Sequence, residues 1–267
     1  MNNLNLEGKV ALITGATGLL GKEHCKALHD AGAKIVICDL DKEKCLTFAD
    51  QLGSNTLSLE MDITKKLSIQ NGLDCVKDTF NKVDILINNA AINDMYENPL
   101  LALENSKFEN YPLEMWTKMF EVNVTGMFLV SQIVGAFMAE KENGSIINIS
   151  STYGLVGPDQ SIYKDKKGKQ TFFKSPAYSS TKGAVISFTK YLAAYWGNKN
   201  VRVNCLSPGG VQNNQSSHFI NCYSAKTPLG RMANSKDYHG AIVFLASDAS
   251  SYMTGANLVI DGGWTCI

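Results

Sequence analysis

Tyr178 and Lys182 are four residues apart in the run Tyr178-Ser179-Ser180-Thr181-Lys182, a spacing that sets a phenol and an ammonium on one face of a helix. A free phenol ionises near ~10, too high for a base at neutral pH. An adjacent ammonium favours the phenolate and moves it towards the working range, so the pair can take or give a proton. Alone, the same spacing describes a half-buried aromatic beside a solvated lysine. Two further residues add chemistry. Ser150-Ser151 follow the run Gly144-Ser145-Ile146-Ile147-Asn148-Ile149, where a hydroxyl at a strand end can hold a substrate oxygen. Asn123, in Val122-Asn123-Val124-Thr125-Gly126, sits inside a long apolar helical stretch where asparagine has a propensity cost. Either its amide makes a local hydrogen bond that bends the helix, or it holds a water that links Lys182 to solvent.

These side chains need a scaffold that brings strand ends and helix starts together. Short apolar runs at residues 9–14, 34–39, 83–88, 145–150 and 201–206 have the length and branched content of buried strands. Residues 19–31, 113–139 and 178–196 carry apolar side chains at helical spacing, and Gly32 stands where a left-handed cap is expected. Strand and helix alternate with crossovers too long for hairpins. That rhythm predicts an α/β chain with one parallel sheet, doubly wound, covered by helices on both faces. Three stretches break it and are expected to be loops around a substrate: residues 92–112; residues 155–176, with Lys164, Lys166, Lys167, Lys169 and Lys174; and residues 210–233, rich in Asn, Gln and Ser. For each lysine taken singly, a solvated surface position is the alternative.

Directly after the first strand comes Thr14-Gly15-Ala16-Thr17-Gly18-Leu19-Leu20-Gly21, opening into a helix. A glycine turn lets backbone amides approach a pyrophosphate, and the helix N-terminus adds partial positive charge. Gly15, Thr17, Gly18, Leu20 and Gly21 are therefore candidate cofactor contacts. Asp39 ends the second strand about 20 residues on, where a carboxylate can accept from ribose hydroxyls and repel a 2′-phosphate. Leu40 rather than an arginine follows it, so NAD is expected rather than NADP. Asp62 and Ile63 end the third strand and can flank adenine, although Asp62-x-Thr64 also reads as a cap. Asn88-Asn89-Ala90-Ala91 closes the fourth strand, with Asn89 and Ala90 close to the cofactor or simply in a strand-ending turn.

Composition narrows the partners. The 267 residues carry 25 Lys plus Arg against 25 Asp plus Glu, so no global field favours nucleic acid or an anionic membrane. The expected partner is a small molecule. Seven cysteines without a Cys-x-x-Cys pair suit reduced thiols in a cytoplasm rather than disulfides or a zinc site. The four histidines show no ligand spacing; no metal is expected, and most of them are expected at the surface.

These residues resemble the short-chain dehydrogenase/reductase family, short type, from Gly8 to Gly263. The likeness rests on the glycine loop, Asn88-Asn89-Ala90, Asn123, Ser151, the Tyr178/Lys182 pair, Ser207-Pro208-Gly209-Gly210-Val211 and the closing Thr254-Gly255 with Asp261-Gly262-Gly263. It implies a single Rossmann-type domain over residues 1–267 with a seven-stranded sheet, and NAD-linked hydride transfer between an alcohol and a ketone. Asn123, Ser151, Tyr178 and Lys182 would form the catalytic tetrad, Lys182 would also hold the nicotinamide ribose, and Val211 the carboxamide. A homo-oligomer, tetramer or dimer, would be built on the helices carrying Asn123 and Tyr178.

Four positions depart from the family pattern. The glycine spacing Thr-Gly-x-x-Gly-x-x-Gly is that of the longer sugar-nucleotide branch, which keeps open an epimerase or dehydratase with transient oxidation. Ala91 replaces the glycine of Asn-Asn-Ala-Gly. Asn213 stands where many members place a threonine. Ser151 and Tyr178 are separated by about twice the usual gap, and the added lysines point to an anionic sugar. Pro176-Ala177-Tyr178 and Pro228-Leu229-Gly230-Arg231-Met232-Ala233 resemble members of bacterial polysaccharide and flagellin-glycan pathways. A non-catalytic NAD-sensing regulator is the reading from another class.

Overall fold

The computed structural model describes residues 3–93 and 99–267. Part of the first expected loop, residues 94–98, lies outside the described residues, and the rest is not all irregular: it holds the helix α4 Pro99–Ser106 and a short 3-10 turn at Phe108–Asn110, which the pattern did not reveal. Seven strands, β1 Val10–Thr14, β2 Lys34–Asp39, β3 Thr56–Glu60, β4 Ile85–Asn88, β5 Gly144–Ile149, β6 Val201–Pro208 and β7 Asn257–Ile260, form one sheet in the order β3-β2-β1-β4-β5-β6-β7. All six pairings are parallel. Winding starts at β1 and runs outwards in both directions. The crevice beyond the strand ends, between β1 and β4, is therefore the place where such a sheet opens to a ligand.

Both faces are covered, and the side-chain alternation of the strands decides which residue meets which layer. Val10, Leu12, Val36, Ile146 and Val203 pack under α3 Lys66–Phe80, α5 Leu113–Glu140 and α6 Pro176–Trp196. Ala11, Ile13, Ile35, Ile37, Ile85, Ile87 and Ile147 face α1 Leu19–Asp30, α2 Lys42–Leu52 and the later helix His239–Ala246. Two faces buried explain why the central strands read as unbroken apolar runs. α5 is long and apolar enough to cross a membrane, but Val130, Val134 and Met138 are fully buried against the sheet, as befits a core helix.

Several boundaries move for visible reasons. β4 begins at Ile85 rather than at residue 83, because the Asp84 carboxylate accepts from the Val10 backbone N–H at 2.9 Å. β3 ends at Glu60, so Asp62 and Ile63 lie just beyond it. α6 starts two residues before Tyr178, since Ser175 Oγ accepts from the Tyr178 N–H and Pro176 fits the first turn. Gly32 takes the left-handed conformation at φ 99°, as the cap requires. β7 is short and only partly buried, an edge strand of sequence Asn-Leu-Val-Ile.

A further expectation is corrected. Residues 210–233 are not an irregular polar loop: they contain the helix α7 Ser217–Ala225, capped by Ser216, with Tyr223 buried beneath it. Its polar residues cap and flank the helix while its aromatic side chains pack inwards. Three of the four histidines, His29, His218 and His239, are partly exposed, in line with most being expected at the surface. His24 is fully buried in α1, and desolvation pushes its imidazole down to about 3, leaving it neutral.

Candidate active site

A buried polar chain fastens the helix that carries Tyr178 and Lys182 to the sheet. Asn88 Nδ2 donates to Ser131 Oγ at 3.0 Å and to Asn148 Oδ1 at 2.8 Å, and Asn148 Nδ2 donates to Thr189 Oγ1 at 2.9 Å. The chain runs from α5 through β4 and β5 to α6. Hydrogen bonds among buried polar groups fix register in a way that apolar packing alone does not. At the end of β5, Ser150 Oγ donates to the Lys182 carbonyl at 2.7 Å. A Cβ on Gly154 would fall 2.7 Å from the same carbonyl group, so this loop lies directly on the helix backbone.

That docking separates the two serines. Ser150 is spent on the helix, whereas Ser151, whose Oγ accepts from the Tyr153 N–H at 3.2 Å, faces the same cavity as the Tyr178 phenol. Ser151, Tyr178 and Lys182 line one cavity of about 360 Å³, together with Val211. Lys182 is 4 % exposed, and its Nζ donates to the Ile149 carbonyl at 2.8 Å. Four phenols line this space, Tyr153, Tyr163, Tyr178 and Tyr223. Burial raises all four, Tyr163 to about 12. Of these four phenols, Tyr178 is the one with ammonium groups over its ring among the described residues: Lys182 Nζ at 5.7 Å from the centroid and Lys174 Nζ at 4.3 Å. Burial leaves the Tyr178 phenol above its ordinary value, with the Ser151 hydroxyl opposing it; ammonium charge over the ring is a further influence in favour of the phenolate.

Asn123 does not make the local helix bond that was one of its two expected parts. Its Oδ1 accepts from the Ile92 N–H at 2.8 Å and its Nδ2 donates to the Ile92 carbonyl at 2.9 Å. A weaker bond at 3.3 Å reaches Thr181 Oγ1, beside Lys182. The amide thus clamps the segment after β4 from across the cavity wall, 31 positions away, and is not a local helix bond. The helix does widen here, into π-type turns over Glu121–Gly126, and such turns aim side chains out of register. Ile92 was not a sequence candidate; only the two-way pairing with an asparagine amide reveals it.

A second cavity, of about 700 Å³, shares the wall formed by Leu19, Leu20, Asn89 and Ala91 with the first. Gly15, Thr17, Gly18, Leu20, Gly21, Asp39, Asp62, Ile63, Asn89 and Ala90 line it, so the sequence candidates converge on one groove. Asn89 Nδ2 donates to the Thr14 and Gly15 carbonyls at 3.0 and 2.9 Å, holding the glycine loop against β4. Gly15 has φ 62°, and a Cβ there would lie 2.7 Å from Ala90 Cα. Gly18 offers no side-chain cap to α1, which leaves the N–H groups of its first turn for a ligand. This donor set fits a pyrophosphate. Asp39 also holds the loop: one carboxylate oxygen accepts from Thr17 N at 2.9 Å and Thr17 Oγ1 at 2.6 Å. The Asp62 carboxylate is engaged by Thr64 N and Oγ1, the turn that its spacing allowed.

The insertion and α7 are one structure. Lys226 pairs with Asp159 at 2.5 Å, His218 Nε2 meets the Lys164 carbonyl at 3.0 Å, and the Tyr163 and Phe219 rings are 5.6 Å apart. Within the insertion, Gln160 binds both backbone groups of Lys174. Four of its five lysines, Lys164, Lys166, Lys167 and Lys169, are exposed, while Lys174 borders the catalytic cavity.

Burial lowers the Lys182 ammonium from 10.5 to about 8. A folded value below the unfolded one means that the charged lysine penalises folding at neutral pH, and the penalty is relieved as pH rises from about 8 to 10.5. Thermal melting without cofactor should therefore show Lys182→Met more stable than the parent at pH 7. The expected margin is on the order of 2 kcal/mol once the lost bond to Ile149 is counted, shrinking as pH approaches 10.5.

The comparisons with known proteins agree with this geometry. The family model described as Enoyl-(Acyl carrier protein) reductase matches residues 15–265. The chain is 33% identical to the NAD-dependent glycerol dehydrogenase of Listeria innocua, over 98% of this chain and 96% of that protein. The solved gluconate 5-dehydrogenase of Burkholderia cenocepacia, in complex with NADP and tartrate, superposes with a TM-score of 0.86 at 29% identity, covering 100% of this chain and 98% of that one. A short-chain dehydrogenase of Leptospira borgpetersenii with bound NAD+ gives a TM-score of 0.83 at 35% identity, covering 98% and 94%. The relatives thus use NAD or NADP. With the sheet, the glycine groove and the Ser151, Tyr178 and Lys182 cavity in place, the chain belongs to the short-chain dehydrogenase/reductase family and is a nicotinamide-dependent oxidoreductase acting on CH–OH groups.

Proposed function

We propose that the protein oxidises a secondary alcohol of a small polyhydroxylated substrate, a sugar or sugar phosphate, with NAD as acceptor. The observation that carries this reading is the pairing of Ser151 with a Tyr178 phenol under ammonium charge, one wall away from the glycine groove. In the oxidising direction the Ser151 hydroxyl holds the substrate oxygen and the Tyr178 phenolate takes its proton. Lys182 keeps that phenolate accessible at working pH, and Asn123 holds the Ile92 backbone that borders the site. The bound nicotinamide supplies the hydride acceptor. Asp39 supports NAD, because a 2′-phosphate would meet its carboxylate; Lys44, on the same wall, is paired with Asp41 at 2.9 Å. Relatives named for glycerol and gluconate support a polyhydroxylated substrate, and the likeness to glycan-pathway members adds sugar phosphates to it.

The same proposal includes two wider features. Phe188, Tyr191 and Tyr195 stack along α6, the last two well exposed, an aromatic stripe suited to a second copy of this chain and open to a light-scattering test. Seven free thiols suit a reducing cytoplasm.

NADH formation should be measured with glycerol, threitol, gluconate, sugar phosphates and a hydroxysteroid, with NADP as control. Turnover of a polyol or sugar derivative with NAD is expected, and Tyr178→Phe should lower kcat by about 100-fold or more while NAD still binds. Turnover confined to apolar alcohols, or a preference for NADP, would contradict the reading. Product without net NADH would instead favour the internal return of hydride that the glycine spacing suggests.

A further inference from the structure

Two phenols in the catalytic cavity have no part in the proton chemistry of Tyr178. Tyr153 stands two residues after Ser151, in the short turn Thr152–Gly154, and Tyr163 comes from the insertion. Their hydroxyl oxygens are 3.2 Å apart, and both side chains line the cavity that holds Ser151 and Tyr178. Burial raises both phenols. Tyr163 reaches about 12, with the nearby Tyr223 and Tyr178 oxygens adding to the burial and the bond to Tyr153 opposing it. Both therefore stay protonated at working pH. Two neutral phenols carry two O–H groups, and the pair uses one of them internally. No other group among the described residues bonds either phenol oxygen. One donor and several lone pairs are thus left at the cavity wall, the complement of a neutral hydroxyl that both accepts and donates.

The pair is held in place from several sides. The Tyr163 carbonyl accepts from Thr171 N at 3.1 Å and from Thr171 Oγ1 at 2.7 Å, and the Tyr163 ring lies 5.6 Å from those of Phe172 and Phe219. Asp159 caps the turn that carries Tyr163 and is itself paired with Lys226. Phe219 and Met232 supply an apolar lining for a carbon skeleton.

We propose that Tyr153 and Tyr163 are specificity-determining residues that bind a second hydroxyl of the substrate, one or two carbons from the reacting carbinol. The inference rests on the polyhydroxy-alcohol reading above and narrows it to 1,2- or 1,3-diols. A site that hydrogen-bonds a substrate hydroxyl discriminates against the analogue lacking it, because its own polar groups are then left unpaired.

The test is a ratio of kcat/KM values, diol over mono-alcohol: butane-2,3-diol against butan-2-ol, pentane-2,4-diol against pentan-2-ol, and any sugar that turns over against its deoxy analogues. The wild-type enzyme should prefer the diol by tenfold or more in at least one pair, and that pair tells a 1,2- from a 1,3-diol. Tyr163→Phe keeps the ring packing and should lower the ratio by about tenfold, mainly through KM. A phenol pair that merely pins the insertion would lower both members alike. Should Tyr163→Phe be insoluble or inactive, Tyr153→Phe and the methyl ether of the second hydroxyl, offered to the wild type, decide the matter. Equal turnover of diol and mono-alcohol by the wild type, a methyl ether used as well as its parent, or a ratio unmoved in an active variant overturns the proposal. Failure of every polyol and sugar to yield NADH would instead sink the underlying reading.

Discussion

An ammonium group taken out of water is the constraint around which this molecule is arranged. Lys182 is nearly inaccessible, and its charged form costs stability at neutral pH. The fold accepts that cost because of where the charge lies. Nζ is held by the carbonyl that ends β5, and the backbone of the same residue is gripped by Ser150 and closely approached by Gly154. A charge so held cannot swing away to solvent, and its field therefore falls on the neighbouring phenol. Stability given up at one residue is returned as positive charge 5.7 Å from the centre of the Tyr178 ring, set against the burial that raises that phenol.

The parallel sheet makes this arrangement possible. Because all seven strands end on one edge, the glycine loop after β1, Asn89 after β4 and Ser151 after β5 come within reach of one ligand. The side chains that fasten the loops stand beside those available to bind: Asn89 pins the glycine loop from β4, and Asp39 ties down Thr17 from β2. The remaining wall is built by the insertion and α7, joined through Lys226 with Asp159 and through the Tyr163 and Phe219 rings. In that wall the chain has room for a chemistry of its own.

The doubly wound sheet was legible in the sequence, because strands buried on both faces must be continuously apolar and the helices between them must show their own period. The glycine loop, Asp39 and the Tyr178/Lys182 pair were legible for a related reason: each is a short-range pattern tied to a strand end or a helix turn. Ile92 was not, since its importance lies in two backbone bonds to Asn123, 31 positions away. Nor was the difference between Lys174 and its four neighbours, because the direction of a side chain in an irregular segment carries no periodic signal. The buried His24 escaped notice because one imidazole on an amphipathic helix has the same local pattern whether it faces water or the core.

The central claim is that the charge of Lys182 sets the ionisation of Tyr178 during hydride transfer. Single-turnover NADH formation at saturating NAD, followed across pH in the wild-type protein and in Lys182→Met, tests it most directly. One controlling ionisation is expected, displaced to higher pH when the ammonium is removed, because the phenolate then loses its nearest buried counter-charge. An ionisation at the same pH in both proteins would contradict it.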